Sequence, residues 1–266
     1  MEASRDSLIK SFYILMIVII VIAILLLVYI AYKYTKNKLY YPGSMSMPYH
    51  PKPSKKVKEL WIAQKGGKLH TWLYHIPGKP IVLFCHGNGG NITNRNHYLK
   101  EMVKRKIPFL IFDYRGYGKS TGSTYMDSTY KDAVVCYKYL RDKYNEDIVP
   151  LGESIGGYPA SKLASEHNTG KLILLTSLNS ITTIVSKMPL FNKLSWFTDG
   201  DLDVSESLKK YKGKTLIMHS RDDEVVGFQN AEKNHELCKN SELVEIGGTH
   251  NNTNFNWSTI ENFIFT

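Results

Sequence analysis

The segment "PLGESIGGYP" (residues 150–159) places a single serine, Ser154, among three glycines. Gly152, Ser154 and Gly156 match the pattern G-x-S-x-G, which can set a reactive serine on a sharp turn between a strand and a helix. Five-residue matches of this kind arise by chance, because glycine and serine are common residues. The secondary structure predicted on either side of the segment therefore decides between a reactive serine and an ordinary Gly-rich turn.

The chain around this segment predicts alternating strands and helices. Short apolar runs such as "PIVLFC" (80–85) and "PFLIFDY" (108–114) are typical of buried strands, and apolar residues at three-to-four spacing within 126–144 indicate an amphipathic helix. Buried strands that alternate with helices predict a mostly parallel sheet with helices on both faces. The other predicted elements are a hairpin from "KVKELWIA" and "KLHTWLYH", strands at 147–152, 171–177, 214–220 and 242–247, and helices near 93–105, 156–166, 228–238 and 256–264.

Ser154 lies directly after a predicted strand and directly before a predicted helix, which is the setting of a nucleophile elbow. The serine backbone is strained at such a turn, and side chains two residues before and after it would collide. Glycine at 152 and at 156 removes those collisions. The helix that follows directs its N-terminus, with its free N–H groups, at the serine.

A second Gly-rich segment, "CHGNGGNIT" (85–93), follows the strand 80–85. Its backbone N–H groups suit one half of an oxyanion hole, which binds the negative oxygen that develops during acyl transfer. We predict that the amides of Asn88 and Ile155 form this hole. The alternative is a Gly-rich loop without a chemical role.

A nucleophilic serine needs a base, and the base needs an orienting acid. In this architecture the chain order is serine, acid, histidine. "GTHNN" (248–252) follows the strand 242–247 and offers His250 at the carboxyl edge of the sheet, where α/β folds gather their sites. His86 is the nearest rival, but it precedes the serine. The acid falls within "RDDEVV" (221–226), where spacing alone does not choose among Asp222, Asp223 and Glu224.

The stretch from Phe12 to Tyr32 contains no charged residue. A helix of this length, at about 1.5 Å per residue, covers the roughly 30 Å hydrocarbon core of a bilayer. A cleaved signal peptide is the alternative, but the stretch exceeds the ~7–15 apolar residues of a signal, and no A-x-A-like site follows it. We predict an N-terminal tail over 1–11 and a transmembrane helix over 12–32.

Positive charge follows this predicted span, and no acidic residue occurs between it and Glu59. Lysines and arginines beside a span tend to remain cytoplasmic, so a single-pass protein with a cytoplasmic C-terminal part is expected. The same charges suit anionic lipid head groups. Residues 33–56, rich in proline and lysine, are predicted to link the span to one domain over 57–266.

Residues 57–266 resemble the α/β-hydrolase superfamily, and within it the membrane-associated α/β-hydrolase-domain proteins, some of which remove palmitate from cytosolic proteins. The resemblance implies that Ser154 is the nucleophile, His250 the base and Asp223 the acid, since the family pattern has Val or Ile three residues after the aspartate. The chain departs from the pattern at Ser220, where glycine is usual, and it lacks the N-terminal cysteines of the depalmitoylating branch. The matching segments are "FCHGNGGN" (84–91), "FDYRGYGKSTG" (112–122), "LGESIGGYPASKLAS" (151–165), "LIMHSRDDEVVGF" (216–228) and "GGTHNN" (247–252).

The resemblance implies a serine hydrolase that works through an acyl-enzyme. Residues 178–206 are rich in apolar side chains and predict either a lid beside the serine or a helix packed on the core. A lid on a membrane-anchored enzyme suits a fatty-acyl ester or thioester, carried by a lipid or a protein. Three alternatives stay open: a lipase or phospholipase, a small serine peptidase, and a catalytically silent membrane-anchored binding module.

The net charge of +10 (34 Lys+Arg minus 24 Asp+Glu) would also suit nucleic acid. The lysines cluster beside the apolar span, however, and no recognition motif occurs, so no nucleic-acid partner is predicted. "DYRGYGKS" (113–120) lacks the spacing of a phosphate-binding P-loop. No zinc-type spacing of His and Cys is present, and we expect neither a metal nor a cofactor. Cys85, Cys136 and Cys238 are scattered, which argues against a disulfide framework.

Overall fold

The computed structural model describes residues 2–40, 47–125, 127–185 and 202–266. The chain divides into two compact units, Met1–Pro42 and Gly43–Thr266. The first unit contains helix α1 (Glu2–Tyr40), which extends beyond the predicted span 12–32 at both ends. The segment Lys10–Leu27 of this helix has a mean hydropathy of 2.8. The helix is long and apolar enough to cross a membrane, and a signal sequence meets the same criteria of length and hydropathy.

The second unit is built on one nine-stranded sheet in the order β1-β2-β4-β3-β5-β6-β7-β8-β9. Strands β3 to β8 run parallel, and β1, β2 and β9 pair antiparallel at the two edges. The predicted mostly parallel sheet with an edge hairpin is therefore confirmed. The strands are β1 (Lys58–Gln64), β2 (Gly67–Tyr74), β3 (Ile81–Cys85), β4 (Phe109–Phe112), β5 (Ile148–Glu153), β6 (Lys171–Leu175), β7 (Lys214–Ser220), β8 (Ser241–Thr249) and β9 (Asn252–Asn254).

Helices follow most of the strands, and the first of them begins differently from the prediction. A short 3-10 turn, Ile92–Arg95, precedes it, so the predicted helix 93–105 is divided in two. The short helices α5 and α6 and the strand β9 were not predicted, since three to six residues carry too little periodicity. The helices are α2 (Asn96–Lys104), α3 (Ser128–Lys143), α4 (Gly157–His167), α5 (Thr182–Val185), α6 (Ser205–Lys210), α7 (Gln229–Leu237) and α8 (Trp257–Phe265).

The core forms because the central strands are apolar on both faces. Every residue of β3 and β4 is buried, as expected for parallel strands covered on each side. On one face, alternate strand residues such as Phe84 and Ile111 share a cluster with Leu99 of α2 and Ile260 of α8. This packing holds the carboxyl ends of β3, β5, β7 and β8 at one edge of the sheet.

The second half of the predicted linker 33–56 packs on the hydrolase unit. The Tyr49 hydroxyl donates to the buried carboxylate of Asp113, and the His50 N–H donates to Thr93 Oγ1 over 3.2 Å. The Asn91 side-chain amide donates to the Met47 carbonyl over 3.2 Å. The packed unit thus begins before the predicted boundary at 57. The predicted lid lies mostly outside the described residues, since residues 186–201 are not among them.

We expect Tyr49→Phe to lower the free energy of unfolding of this unit by about 1–2 kcal/mol, because the buried Asp113 carboxylate loses one charged hydrogen bond. His70 Nδ1 and the Ile92 N–H, both at 2.9 Å, remain on that carboxylate. Urea unfolding monitored by tryptophan fluorescence gives the difference. Tyr139→Phe in α3, whose hydroxyl has no partner among the described residues, is the control and should change stability little. Equal effects would show that the hydrogen bond from Tyr49 to Asp113 does not stabilise the unit.

Candidate active site

The structure places Ser154 on a tight turn between β5 and α4, at the start of a 3-10 turn, Ser154–Gly156. Its φ is +53°, in the left-handed region that costs a non-glycine residue conformational energy. The side chain is 8% exposed. The serine is thus held in a strained conformation at the carboxyl edge of the sheet.

The two predicted glycines are required by close backbone approaches. A Cβ at Gly156 would lie 2.0 Å from the Cys85 carbonyl oxygen, and a Cβ at Gly152 would lie 2.5 Å from the Gly156 oxygen. These neighbours are backbone atoms, which cannot rotate away. The turn after β5 therefore closes against the end of β3 only when position 156 has no side chain.

The structure brings His250 and Asp223 to this serine. His250 Nε2 lies 3.2 Å from Ser154 Oγ, and His250 Nδ1 lies 2.8 Å from Asp223 Oδ2. His250 stands in the turn of the β8–β9 hairpin, whereas sequence analysis predicted a strand that ends at 247. Gly248 permits this hairpin, because its φ is +95° and an added Cβ would lie 2.1 Å from the Asn252 oxygen.

Burial distinguishes the three acids that spacing left open. Asp223 is 5% exposed, whereas Asp222 and Glu224 are both exposed. Oδ1 of Asp223 accepts hydrogen bonds from the N–H groups of Val225 and Val226, at 3.0 and 2.7 Å. Glu224 Oε2 instead accepts a hydrogen bond from the backbone N–H of His250 over 3.2 Å. Only Asp223 faces the imidazole ring.

His219, a fully buried residue of β7, also belongs to this site and was not predicted from the sequence. Its Nε2 lies 3.2 Å from Asp223 Oδ2 and 2.6 Å from the Val226 carbonyl oxygen. Burial alone would raise the pKa of Asp223, but hydrogen bonds from His219 and His250 and from backbone N–H groups lower it well below its usual value. The carboxylate is therefore ionised at neutral pH, as a group that orients an imidazole must be.

The loop after β3 lies against the serine. A Cβ added to Gly87 would be 3.3 Å from Ser154 Cβ. The Gly87 N–H donates to Glu153 Oε2 over 2.8 Å, so this amide is already occupied, and Asn88 carries the next amide of the loop. Tyr117 donates to Asn88 Oδ1 over 2.7 Å. Ile155 directly follows Ser154 in the 3-10 turn, and Asn88 directly follows Gly87 in this loop, so the predicted oxyanion hole stays a prediction.

His86, the rival base, belongs to that loop and makes no hydrogen bond to Ser154 or Asp223 in the described structure. Its Nδ1 lies 2.7 Å from the Gly87 carbonyl oxygen, and its own carbonyl accepts from the Tyr114 hydroxyl over 3.0 Å. Within the described residues, no group of three or more His, Cys, Asp or Glu side chains is arranged to hold a metal ion.

Comparisons with known proteins agree with this fold. A family model described as serine aminopeptidase, S33, matches residues 77–199, which include Ser154. YfhR of Salmonella typhimurium is 26% identical over 87% of this chain and 84% of its own length. Alpha/beta hydrolase domain-containing protein 17C of Xenopus tropicalis is 29% identical over 67% of this chain and 58% of that protein.

Solved structures show the same architecture. An alpha-beta hydrolase from Vibrio vulnificus superposes with a TM-score of 0.66 at 21% identity, covering 74% of this chain and 76% of that one. The Pyrococcus furiosus esterase Pf2001 superposes with a TM-score of 0.62 at 20% identity, covering 76% of this chain and 91% of that one. The sheet, the matching family model and these likenesses define an α/β-hydrolase fold. The proteins that the chain is similar to include two named for the α/β-hydrolase domain.

We expect Gly156→Ala to destabilise the fold by about 3 kcal/mol or more, since its methyl group meets the Cys85 carbonyl oxygen at 2.0 Å. Thermal unfolding of the full chain in detergent measures the change. Gly170→Ala is the matched control, because an added Cβ there has no neighbour within 4 Å and its φ is not positive. A Gly156→Ala protein as stable as the control would contradict the close approach of the two turns.

Proposed function

We propose that this α/β hydrolase is a membrane-anchored serine hydrolase that cleaves acyl esters or thioesters. The observation that carries the proposal is the contact series from Ser154 Oγ through His250 to Asp223, at 3.2 and 2.8 Å. These are the distances at which a histidine can accept a serine proton while a carboxylate holds its other nitrogen. A strained serine beside a Gly-rich loop supports the same assignment.

In the proposed reaction, Ser154 Oγ attacks the acyl carbonyl carbon while its proton passes to His250 Nε2. Asp223 accepts a hydrogen bond from Nδ1 and stabilises the imidazolium that forms. The amides of Asn88 and Ile155 bind the negative oxygen of the tetrahedral intermediate. His250 then protonates the departing alcohol or thiol. A water molecule, deprotonated by His250, releases the acyl group as a carboxylic acid and restores Ser154.

A fatty-acyl substrate is proposed from the apolar helix that precedes the domain. The side chains of α1 from Phe12 to Leu27 are exposed in the structure, as expected of a helix that meets lipid. A helix held in lipid would keep the hydrolase at a bilayer surface, where it can meet acylated lipids and acylated proteins. The lysines that follow the apolar span 12–32 favour a cytoplasmic hydrolase domain.

A serine peptidase is the second candidate, and the description of the matching family model favours it. The same three side chains would cleave an amide as well as an ester. A panel of acyl esters, acyl thioesters and aminoacyl amides separates the candidates by their relative kcat/KM values. Lipase or phospholipase activity would appear in the same panel as cleavage of glycerol esters.

We expect the full chain, purified in detergent, to react with a fluorophosphonate probe at Ser154. Ser154→Ala and His250→Ala should abolish labelling and lower kcat by about 10⁴–10⁶, and Asp223→Asn should lower kcat by about 10⁴. Ser161→Ala is the control, because Ser161 is buried in α4 and its hydroxyl has no partner within the described residues. A folded wild-type protein that neither labels nor hydrolyses any ester would indicate a catalytically silent binding module.

We also expect the full chain to remain with membranes after extraction in alkaline carbonate and to keep its N-terminus. Replacing Ile19 and Ile22 by arginine should release it, since each charge at the centre of a span costs about 2.5–3.5 kcal/mol on insertion scales. Replacing the same two residues by leucine is the control. A mature protein that lacks the α1 segment by mass spectrometry would instead identify a cleaved signal sequence.

A further inference from the structure

Glu153, the residue before the serine, makes contacts that the proposed mechanism does not use. Its Oε2 accepts two hydrogen bonds, from the Gly87 N–H and from Arg95 Nε, each at 2.8 Å. Arg95 Nη1 in turn donates to the Gly89 carbonyl oxygen. The Glu153–Arg95 pair therefore binds both ends of the tripeptide Gly87-Asn88-Gly89, and Asn88 lies between the two attachment points.

This pair restricts which amide can meet an oxyanion. The Gly87 N–H is occupied by Glu153, so an oxyanion would have to meet a later amide of this loop, and Asn88 carries the next one. Gly87 has little freedom to shift, because the space beside it is filled by Arg95 Nη2 at 3.0 Å and Ser154 Cβ at 3.3 Å from the position of an added Cβ. A shift of either partner would move the Asn88 amide relative to the serine.

The charges of Glu153 and Arg95 also affect the electrostatics of the loop beside Ser154. The two side chains are only 15% and 10% exposed, so water screens them poorly. Burial would raise the pKa of Glu153, but the Arg95 guanidinium and the Gly87 N–H keep it below its usual value. Without Arg95, an ionised carboxylate would stand beside a developing oxyanion and oppose it. The planar guanidinium binds the carboxylate and the Gly89 carbonyl at once, which the point charge of a lysine does less well.

We propose that Glu153 and Arg95 are positioning residues that hold the loop 87–89 so that the Asn88 amide faces the oxyanion of the reaction. This inference rests on the proposed serine hydrolase function. Neither side chain touches the reacting atoms in this assignment. Both act through the loop, so they affect stabilisation of the transition state more than binding of the substrate.

The test compares Glu153→Gln and Arg95→Lys with wild type in the full chain, on one ester that the wild type hydrolyses. Glu153→Gln keeps the size and an acceptor oxygen but loses the charge that holds Arg95. Arg95→Lys keeps the charge but weakens the bridge to Gly89. We expect kcat/KM to fall about tenfold in each, with KM changed less than about twofold, since complete loss of one oxyanion donor costs about 10²–10³.

A trifluoromethyl ketone with the same acyl chain supplies a second readout. Its adduct with Ser154 carries an oxyanion, so its affinity should weaken by the same factor as kcat/KM. Asp132→Asn is the matched control. Asp132 forms another buried ion pair, at 2.6 Å, with Arg115 on the loop after β4. Loss of this ion pair should lower the thermal midpoint but leave kcat/KM per folded molecule near wild type. If Glu153→Gln does not fold, Glu153→Gln combined with Arg95→Gln removes both charges and takes its place.

The possible results distinguish failure of the proposed hydrolase function from failure of the positioning role. A wild-type protein that neither labels with fluorophosphonate nor hydrolyses esters would refute the proposed function itself. An active wild type with Glu153→Gln and Arg95→Lys matching it in kcat/KM and in inhibitor affinity would overturn the positioning role. The role would also be overturned if Asp132→Asn lowered kcat/KM as much as the other two, because the loss would then follow stability alone.

Discussion

The rest of the site depends on the close approach of the turn after β5 to the end of β3. Gly156 lies against the Cys85 carbonyl, and this contact brings Ser154 beside the loop that starts at His86. The parallel pairing of β3 with β5, which sets Cys85 opposite Gly152, fixes the same distance from the sheet side. Backbone atoms meet backbone atoms here, so the position of the serine does not rely on flexible side chains.

Buried carboxylates extend this rigidity to the neighbouring loops. Asp113 ties the loop after β4 to Tyr49, His70 and the Ile92 N–H. Asp223 ties the loop after β7 to its own backbone and to His250. Each carboxylate lies near the carboxyl end of a parallel strand, where several elements meet and can satisfy it. A buried charge is costly unless it is paired and hydrogen-bonded, so each of these loops has one favoured arrangement.

Residue periodicity did not predict the β8–β9 hairpin that carries His250. The stretch "GTHNNTN" (248–254), which holds the end of β8, the turn and all of β9, has no apolar alternation, and β9 spans only three residues. The strand forms because Gly247 to Thr249 fold back onto residues 252–254, with Gly248 at a φ that other residues avoid. The histidine was predicted from its place after the last strand, but the turn that aims it was not. The helix α1 likewise exceeded its prediction, since polar flanks can continue a helix that apolar length begins.

The sequence by itself determined the order of the longer strands and helices, the strained turn at Ser154 and the choice of Ser154 and His250 as candidate partners, because these follow from local patterns. It left the acid open between Asp222, Asp223 and Glu224, and the family resemblance implied Asp223. Tertiary structure alone placed Asp223 against the imidazole, brought in His219, and joined Glu153 to Arg95 across 58 positions of chain. Contacts of this kind depend on which strand ends are neighbours in the sheet, and residue spacing along the chain does not predict that arrangement.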